Sequence, residues 1–459
     1  MIFLNKIVKY IFDYSYAFIY IGIAILLWDT FGMLGKSNPY PFALIFLTFF
    51  AGLLLVKKPQ KILFFEGLTL MKGLITIEIA MHIIANFHRP HSNFQFAKEI
   101  RYESFVLPFL LVVGLFWILH LYKKENRGLK FILVALSSLF LLFEVLVASN
   151  PGIDTYHYME VATKEIIIHK NPYLIKFGDY YNGEFKDVYG GQYVFNYWPI
   201  SLYLCTFSKL VFSDVRFIMV IFQLLIGFVL LTITYRKRYS QVWLYFLLLW
   251  IMNPVVAFVN IQSWVDAFAP LYLLLTIVFL QKKNLTLSAI TLGLLASIKL
   301  YYCFTVPFVF IFIWNHQRPE FLRYVLITFF GFIVTFIPFL ALSPNELFNN
   351  TVIYFTKSKL RLESLSYIAY IKWIVNIDLS RIGLLLSILF LFFGYAKAFL
   401  KKMKLFELIQ VMNFSYLAFF LFSKQAFCNY YYYNLFLSFL LLYYSMRNEA
   451  ESESKIVVN

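Results

Sequence analysis

The chain has 459 residues, of which 61% are hydrophobic and only 14% are charged, and its mean hydropathy is +0.73. Soluble globular domains carry about 25% charged residues, so a soluble protein of this length could not bury so much apolar surface. Apolar stretches of about 20 residues recur along the chain, and each could cross about 30 Å of hydrocarbon. The composition therefore predicts an all-α, polytopic membrane protein.

The formal net charge of +16 does not indicate a nucleic-acid partner, because it is distributed in short clusters between the apolar stretches. Such clusters are typical of cytoplasmic loops under the positive-inside rule. The clusters are Lys57, Lys58 and Lys61; Lys123, Lys124, Arg127 and Lys130; Arg236, Lys237 and Arg238; Lys282 and Lys283; Lys401, Lys402 and Lys404. We expect this charge to orient the protein in the lipid bilayer, and we expect no nucleic acid among its partners.

The three cysteines, Cys205, Cys303 and Cys428, lie far apart in apolar surroundings and lack the spacing of metal ligands. We interpret them as small buried hydrophobic residues rather than a disulfide framework or a zinc site. The first apolar stretch has no small-residue cleavage site, so we expect it to be a retained helix rather than a signal peptide.

The first five apolar stretches place both early basic clusters in the cytoplasm if the N-terminus is also cytoplasmic. The predicted spans lie near residues 14–35, 41–56, 62–86, 105–122 and 130–149. The chain then emerges outside at residue 150, where a polar region extends to residue 198. This region holds six acidic and four basic residues, and its net negative charge favours an exterior location.

The next apolar stretch, residues 199–213, is too short to span, so we predict an interfacial helix on the outer surface. Residues 286–314 begin and end beside cytoplasmic signals, and their length predicts a hairpin of short helices with Lys299, Tyr301 and Tyr302 at its apex. The remaining spans are predicted near residues 216–235, 241–258, 264–281, 322–343, 381–400, 405–422 and 427–446. The total is about 13 crossings, with both termini cytoplasmic.

This topology divides the chain into four parts. They are N-terminal transmembrane helices (1–149), an exterior loop with interfacial helices (150–215), a transmembrane core (216–446) and a cytoplasmic tail (447–459). The larger polar segments all fall on the exterior side, and the convergence of several loops on one face is typical of a functional site.

Asp154 is the first candidate residue, because it follows directly on a predicted span. A carboxylate at a helix end near hydrocarbon can act as a general base. On local evidence the favoured interpretation is simpler, namely that Asp154 is the N-cap of the next helix. His157 lies one turn further on and is either a second acid–base group or an ordinary hydrogen-bonded side chain.

Gln262 and Asp266 lie at the start of a predicted span, and acidic residues inside membranes are functional by default because their burial is costly. A surface cap at the helix start is an equally good interpretation of Asp266. Lys299 lies inside the predicted hairpin, where an ammonium group needs an anion or a path to water.

Lys357, Lys359 and Arg361 form a basic group on the predicted exterior side, against the positive-inside trend. Binding of a phosphate or diphosphate would explain them, because arginine can hold two phosphate oxygens at once. Contact with lipid head groups explains them equally well.

Six segments together resemble the GT-C superfamily of membrane glycosyltransferases. The segments are GIDTYHYMEVATKEIIIHKNPY, FNYWPISLYL, NIQSWVDAFAPLYLLL, LGLLASIKLYYCFTVPFVFI, ESLSYIAYIKW and NYYYYNLFLSFLL. The resemblance covers roughly residues 145–446 and is greatest to the mannosyltransferases that use polyprenyl-phosphate mannose. It leaves the first four predicted helices unassigned.

The resemblance implies transfer of a hexose, mannose in the first instance, from a polyprenyl phosphate to an acceptor hydroxyl on the exterior face. The acceptor would be a glycan, a glycolipid or a protein. No cofactor is implied, although a divalent cation stays open. The implied roles are a catalytic base for Asp154, donor-phosphate binding for Lys299, Lys357, Lys359 and Arg361, and substrate binding for Tyr156, His157, Asn196, Tyr197, Trp198, Gln262, Asp266, Asn429 and Tyr430.

Two other classes of protein share parts of this pattern. A transporter or flippase of lipid-linked saccharides also places charges inside helices, but it is expected to show related halves with matching broken helices, which this sequence does not indicate. A polymerase or ligase of the O-antigen kind also has many helices and one large exterior loop. In that class the large loop falls late in the chain, whereas here it falls in the middle.

Overall fold

The computed structural model describes residues 14–30, 40–56, 64–88, 100–122, 127–148, 151, 153–180, 193–234 and 240–456. Within these ranges the chain is helical, with no β-strand and a single isolated antiparallel bridge between Lys176 and Val194. The expected all-α class is therefore confirmed.

The α-helices are numbered here in chain order. They are α1 (Ser15–Thr30), α2 (Tyr40–Val56), α3 (Phe64–His88), α4 (Ile100–Tyr122), α5 (Arg127–Val147), α6 (Asp154–Ile167), α7 (Pro199–Phe212), α8 (Phe217–Thr234), α9 (Ser240–Ile251), α10 (Pro254–Ile261), α11 (Ala269–Gln281), α12 (Leu285–Ala296), α13 (Thr305–His316), α14 (Phe321–Ile333), α15 (Ile337–Leu342), α16 (Pro344–Phe348), α17 (Tyr354–Lys357), α18 (Tyr367–Val375), α19 (Ser380–Leu400), α20 (Leu405–Phe422) and α21 (Cys428–Ile456). Short 3₁₀ turns occur at Pro172–Leu174, Val265–Phe268, Leu300–Phe304 and Arg318–Glu320, and a π-turn at Asn349–Ile353.

Several of these helices are long and apolar enough to cross a membrane. In the described ranges α5, α19 and α20 meet this criterion singly, and two bent helix pairs raise the number to five if each pair is one span. Shorter apolar helices of 10–17 residues accompany them. On α14 the exposed residues Leu322, Leu326, Phe329 and Phe330 form one apolar stripe, as expected for a face turned to lipid. These apolar helices and the exposed apolar face indicate a membrane-embedded protein.

The structure separates α7 from the span that follows it. Helices α7 and α8 meet at an angle of 104°, so residues 199–213 do not continue into the next helix. One side of α7 is buried, whereas Phe207, Leu210 and Val211 near its end are more than half exposed. A short helix with one apolar exposed end, turned across the direction of its neighbour, agrees with the predicted interfacial position.

The span predicted near residues 241–258 is broken. Helices α9 and α10 are bent by 52° at Asn253 and Pro254. Proline has no N–H to continue the helix, and the Asn253 side chain accepts a hydrogen bond from Val255 N at 2.9 Å, so it caps α10. The predicted span 322–343 is likewise divided, into α14 and α15.

Cα packing divides the chain into two compact units. The first comprises Met1–Leu70, Phe304–Val325 and Lys359–Asn459. In it α20 packs against α2, α19 and α21. Buried polar side chains tie the last two helices together, since the Asn434 amide donates to the backbone and side-chain oxygens of Asn413 at 2.9 and 2.8 Å.

The second unit comprises Met71–Cys303 and Leu326–Ser358 and holds most of the predicted site. In this unit α12 lies unusually close to α14. A Cβ on Gly293 would lie 2.3 Å from the backbone oxygen of Thr328, so only glycine allows this approach. Elsewhere in the unit, Glu78 of α3 accepts a 2.9 Å hydrogen bond from Asn253 at the α9–α10 break.

Much of the predicted topology concerns residues outside the described ranges. The basic residues 57–61, 123–124 and 236–238 lie there, as do Glu184, Lys186 and Asp187 of the exterior loop. Lys282 and Lys283 follow α11 and Lys401 and Lys402 follow α19, all exposed as expected for loop charges. The count of about 13 crossings stays a prediction.

Candidate functional site

Asp154 lies at the start of α6, one position later than an N-cap. The N-cap residue is Ile153, and Asp154 is the first helical residue. Its Oδ1 accepts a hydrogen bond from Thr155 N at 2.7 Å, so the carboxylate still satisfies an N–H of the first turn. The N-cap interpretation was therefore wrong by one residue. The half-buried carboxylate nevertheless sits at the helix N-terminus, where negative charge is stabilised.

The aromatic segment before α7 is joined to the start of α6. The Tyr197 hydroxyl lies 2.8 Å from Thr155 Oγ1, and the Tyr173 hydroxyl donates to the Tyr197 backbone oxygen at 2.7 Å. Asn171 caps the turn that carries Tyr173, by accepting from its N–H at 3.0 Å. Three parts of the predicted exterior loop thus meet beside Asp154.

The second predicted exterior segment contacts the same turn. The Asn171 amide donates to Ser343 Oγ at 2.6 Å, and the Asn350 amide donates to the Tyr173 backbone oxygen at 2.9 Å. Residues 171–173 and 344–364 were both predicted to be exterior, with Ser343 at the end of the preceding span, and these contacts agree with a location on the same side.

Tyr156 packs against a buried arginine that sequence reasoning missed. The Arg216 guanidinium lies 4.8 Å from the centre of the Tyr156 ring. Arg216 is itself held by Asp214 at 2.6 Å and by the backbone oxygen of Ala148 at 2.5 Å. Burial raises the pKa of Tyr156 to about 12, with Arg216 opposing the shift, so this hydroxyl stays protonated at neutral pH.

His157 is exposed, and its ring lies 5.4 Å from the ring of Tyr180. Burial, and after it the negative charge of Asp154, raise the pKa of Tyr180. His157, Tyr180 and Asp154 therefore lie near one another in the segment predicted to be exterior, with Tyr180 as a neutral hydroxyl.

Asp266 is not a surface cap, because it is fully buried. It lies in the 3₁₀ turn between α10 and α11, and its carboxylate is 3.3 Å from Lys299 Nζ. The Tyr302 hydroxyl donates to it at 2.8 Å, and the Tyr301 hydroxyl donates to the same oxygen. Lys299, Tyr301 and Tyr302, the predicted apex residues of the 286–314 hairpin, thus all contact the Asp266 carboxylate. This carboxylate is the anion that a buried Lys299 ammonium requires.

The segment just before Asp266 buries polar groups without partners in the described part of the chain. They are both polar atoms of the Asn260 amide, both of the Gln262 amide, and the Ser263 hydroxyl. All three residues are fully buried. An unsatisfied buried polar group destabilises the folded state by about 1–3 kcal/mol, so these side chains lower the free energy of unfolding of the protein by itself.

Two contacts bring the aromatic segment and the Asp266 turn into one region. The Ser201 hydroxyl donates to the backbone oxygen of Ile298 at 3.5 Å, which attaches the start of α7 to the residue before Lys299. Trp198, at the N-cap of α7, is buried between Phe332 and Phe336, with ring centres 5.5 and 5.2 Å away. Trp198 Nε1 and Asn196 Oδ1 have no hydrogen-bond partner among the described residues.

The other predicted cations differ from one another in surroundings. Lys357 and Lys359 are exposed, whereas Arg361 is buried and paired with Glu363 at 3.3 Å. Arg361 also lies 4.9 Å from the ring centre of Phe427. Lys299 and Arg361 therefore already hold carboxylates, while Lys357 and Lys359 face outward. Lys357 belongs to the second unit, and Lys359 and Arg361 belong to the first.

Asn429 and Tyr430, the last predicted substrate-binding residues, lie in the first unit at the start of α21. Asn429 is buried, and the half-buried Tyr430 ring packs edge-on against Phe420 at 5.5 Å. These contacts are those of a packed helix start.

Comparison with protein-family models, with curated proteins and with solved structures finds no match to this chain. No group of three or more histidine, cysteine, aspartate or glutamate side chains within the described ranges could hold a metal ion. The chemistry of the site is therefore inferred from its own side chains.

Proposed function

We propose that the protein is an integral membrane glycosyltransferase of the GT-C kind. It moves a hexose, mannose in the first instance, from a polyprenyl phosphate to an acceptor hydroxyl on the exterior face. The observation that carries the proposal is the position of Asp154. Asp154 is half-buried at the N-terminus of α6 and is joined through Thr155 to Tyr197. Tyr197 precedes α7, whose Ser201 donates to the backbone oxygen of Ile298, the residue before Lys299 in the break between α12 and α13.

In the proposed reaction Asp154 takes the proton of the acceptor hydroxyl. The acceptor oxygen forms a bond to the anomeric carbon while the bond from that carbon to the phosphate oxygen breaks, which inverts the anomeric centre. The leaving group is the polyprenyl phosphate, whose growing negative charge needs a cation. Lys357 is exposed, lies in the same unit as Asp154 and is suited to this role, whereas Lys299 would first have to leave Asp266.

The topology is part of the proposal. We place the site on the exterior face and both termini in the cytoplasm, because the basic clusters follow the positive-inside pattern. Two termini on one side require an even number of crossings. The estimate of about 13 therefore means about 12 or 14 crossings, with α7 lying at the interface.

The test of the base is Asp154→Asn, assayed in membranes with radiolabelled polyprenyl-phosphate mannose, glucose and arabinose. We expect transfer to fall about 10²–10⁴-fold, the usual contribution of a general base. Glu165→Gln is the matched control, because Glu165 lies on the same helix and makes only a 4.0 Å ion pair with Lys170. Undiminished transfer by Asp154→Asn would show that another group is the base.

A flippase of lipid-linked saccharides is the second candidate, since one observation favours it. The chain has discontinuous helices at the α9–α10 break and between α12 and α13, and transporters build substrate sites at such breaks. Movement of a fluorescent polyprenyl-phosphate sugar across vesicles that contain no acceptor would support it. Transfer that depends on Asp154 would favour the enzyme.

A further inference from the structure

The end of α10 has a backbone conformation that its sequence does not favour. Ser263 N donates to the Asn260 backbone oxygen and Trp264 N to that of Val259, both at 3.1 Å, which is a Schellman ending. Ser263 has a φ of 57°, in the left-handed region where glycine is the preferred residue. A serine at this position keeps a hydroxyl at the expense of backbone stability, as is common at functional sites.

The side chains of this ending supply hydrogen-bond donors and acceptors in pairs. The amides of Asn260 and Gln262 each offer an N–H₂ donor and a carbonyl acceptor, and the Ser263 hydroxyl offers both. None of these atoms has a partner in the described part of the chain. Sugar hydroxyls also donate and accept at once, so the two sets of groups are complementary.

The charge of the region is balanced. The Asp266 carboxylate is paired with Lys299 and accepts hydrogen bonds from Tyr301 and Tyr302. A ligand with its own ammonium or carboxylate group would bring an uncompensated charge beside these buried groups, which is strongly unfavourable. A neutral ligand would not.

We propose that residues 260–266, here called the sugar-recognition turn, bind the hydroxyl groups of an uncharged sugar ring. The proposal rests on the proposed function for the identity of the sugar carrier, a polyprenyl phosphate. It adds the position of the sugar-binding groups and the requirement that the sugar be neutral.

Two substitutions separate this role from a structural one. Gln262→Met removes a buried amide that has no hydrogen-bond partner among the described residues, and Ser263→Gly removes a hydroxyl while relieving the left-handed backbone. Both variants are expected to be more stable than the wild type, with melting temperatures raised by about 2 °C. Both are also expected to bind sugar less well, which a purely structural role does not predict.

The chain offers a matched control for each substitution. Gln223 is also a buried glutamine, but its amide donates to the Ala267 backbone oxygen and its carbonyl accepts from Trp250, each at 2.9 Å. Gln223→Met is therefore expected to lower the melting temperature. Ser213 is also left-handed, with a φ of 63°, but it is exposed, so Ser213→Gly is expected to stabilise without affecting binding.

Binding would be measured on the full chain in lipid nanodiscs with short synthetic probes. The probes are citronellyl phosphate alone and citronellyl phosphate carrying mannose, glucosamine or glucuronic acid. We expect the mannose probe to bind at least about tenfold more tightly than either charged-sugar probe. Gln262→Met and Ser263→Gly should each lose about tenfold, or about 1.4 kcal/mol, for the mannose probe and leave citronellyl phosphate unchanged.

Each outcome decides the proposal. It is overturned if the two variants bind the mannose probe like the wild type, if the charged probes bind equally well, if no sugar probe binds, or if Gln262→Met is destabilised like Gln223→Met. A result in which mannose binding depends on Gln262, yet no sugar is transferred, would overturn the transferase function and retain the sugar-recognition turn. Asp154→Asn is expected to bind the mannose probe normally.

Discussion

The ion pair between Asp266 and Lys299 provides a stability prediction whose size follows from the geometry. Both groups are more than nine-tenths buried, and Nζ lies 3.3 Å from the carboxylate. At an effective dielectric constant of about 20, two unit charges at this distance attract by about 5 kcal/mol. Replacing one partner leaves the other as a buried charge, and such single replacements cost about 3–5 kcal/mol.

The two single replacements are not expected to be equal. In Lys299→Met the carboxylate keeps the hydroxyl donors of Tyr301 and Tyr302, and hydrogen bonds to a charged group contribute about 1.5–3 kcal/mol each. In Asp266→Asn the ammonium loses its counter-ion and keeps its contact with the Tyr301 ring, whose centre is 5.2 Å away. We therefore expect a loss of about 4–5 kcal/mol for Asp266→Asn and about 2–3 kcal/mol for Lys299→Met.

The measurement is a double-mutant cycle by SDS titration of the purified protein in mixed micelles. The double variant should lose less stability than the sum of the single variants, because no charge is left unpaired. Additive losses, or a larger loss for Lys299→Met than for Asp266→Asn, would refute the reasoning that these two groups form a buried pair supported by the tyrosines.

Two further predictions concern helix starts. Asn253→Ala removes both the cap of α10 and the hydrogen-bond donor to the buried Glu78. We therefore expect the free energy of unfolding to fall by about 2–4 kcal/mol in the same titration. A change below about 0.5 kcal/mol, which is the usual range of surface substitutions, would contradict this prediction. Ser380 donates to Asp378 from its N–H at 2.9 Å and its hydroxyl at 2.5 Å, and these bonds lower the pKa of Asp378. The resulting stabilisation is full above the unfolded pKa of about 3.9 and is lost as the pH falls through the lower folded value. Because Asp378 is exposed, the advantage over Asp378→Asn should be only a few tenths of a kcal/mol at pH 6 and should be lost as the pH falls through the lowered folded pKa, measured by melting temperature.

Local signals were sufficient to predict several elements of the fold. The separate helix at residues 199–213 followed from counting crossings between basic clusters, and the structure has α7 turned 104° from α8. The hairpin of short helices followed from the distance between two cytoplasmic signals. Its predicted apex residues Lys299, Tyr301 and Tyr302 do lie between α12 and α13.

The features of the site that the sequence did not predict depend on tertiary contacts, which local sequence patterns do not encode. The partner of Lys299 is 33 residues away, and only tertiary packing brings the Asp266 carboxylate to it. The buried amides of Asn260 and Gln262 look like ordinary polar residues in a loop. The break at Asn253–Pro254 was visible, because proline disfavours a helical residue before it, but the hydrophobic length of the segment masked this signal.

The carboxylates of Asp154 and Asp266 differ in how strongly their surroundings hold the negative charge. The fully buried Asp266 carboxylate is the counter-ion of the Lys299 ammonium and accepts hydrogen bonds from two tyrosine hydroxyls. The Asp154 carboxylate lies at a half-buried helix start and accepts hydrogen bonds from Thr155 N at 2.7 Å and from Thr155 Oγ1 at 3.4 Å. A general base must change its charge in every turnover, so Asp154 can act in this role and Asp266 is better suited to hold the break in place.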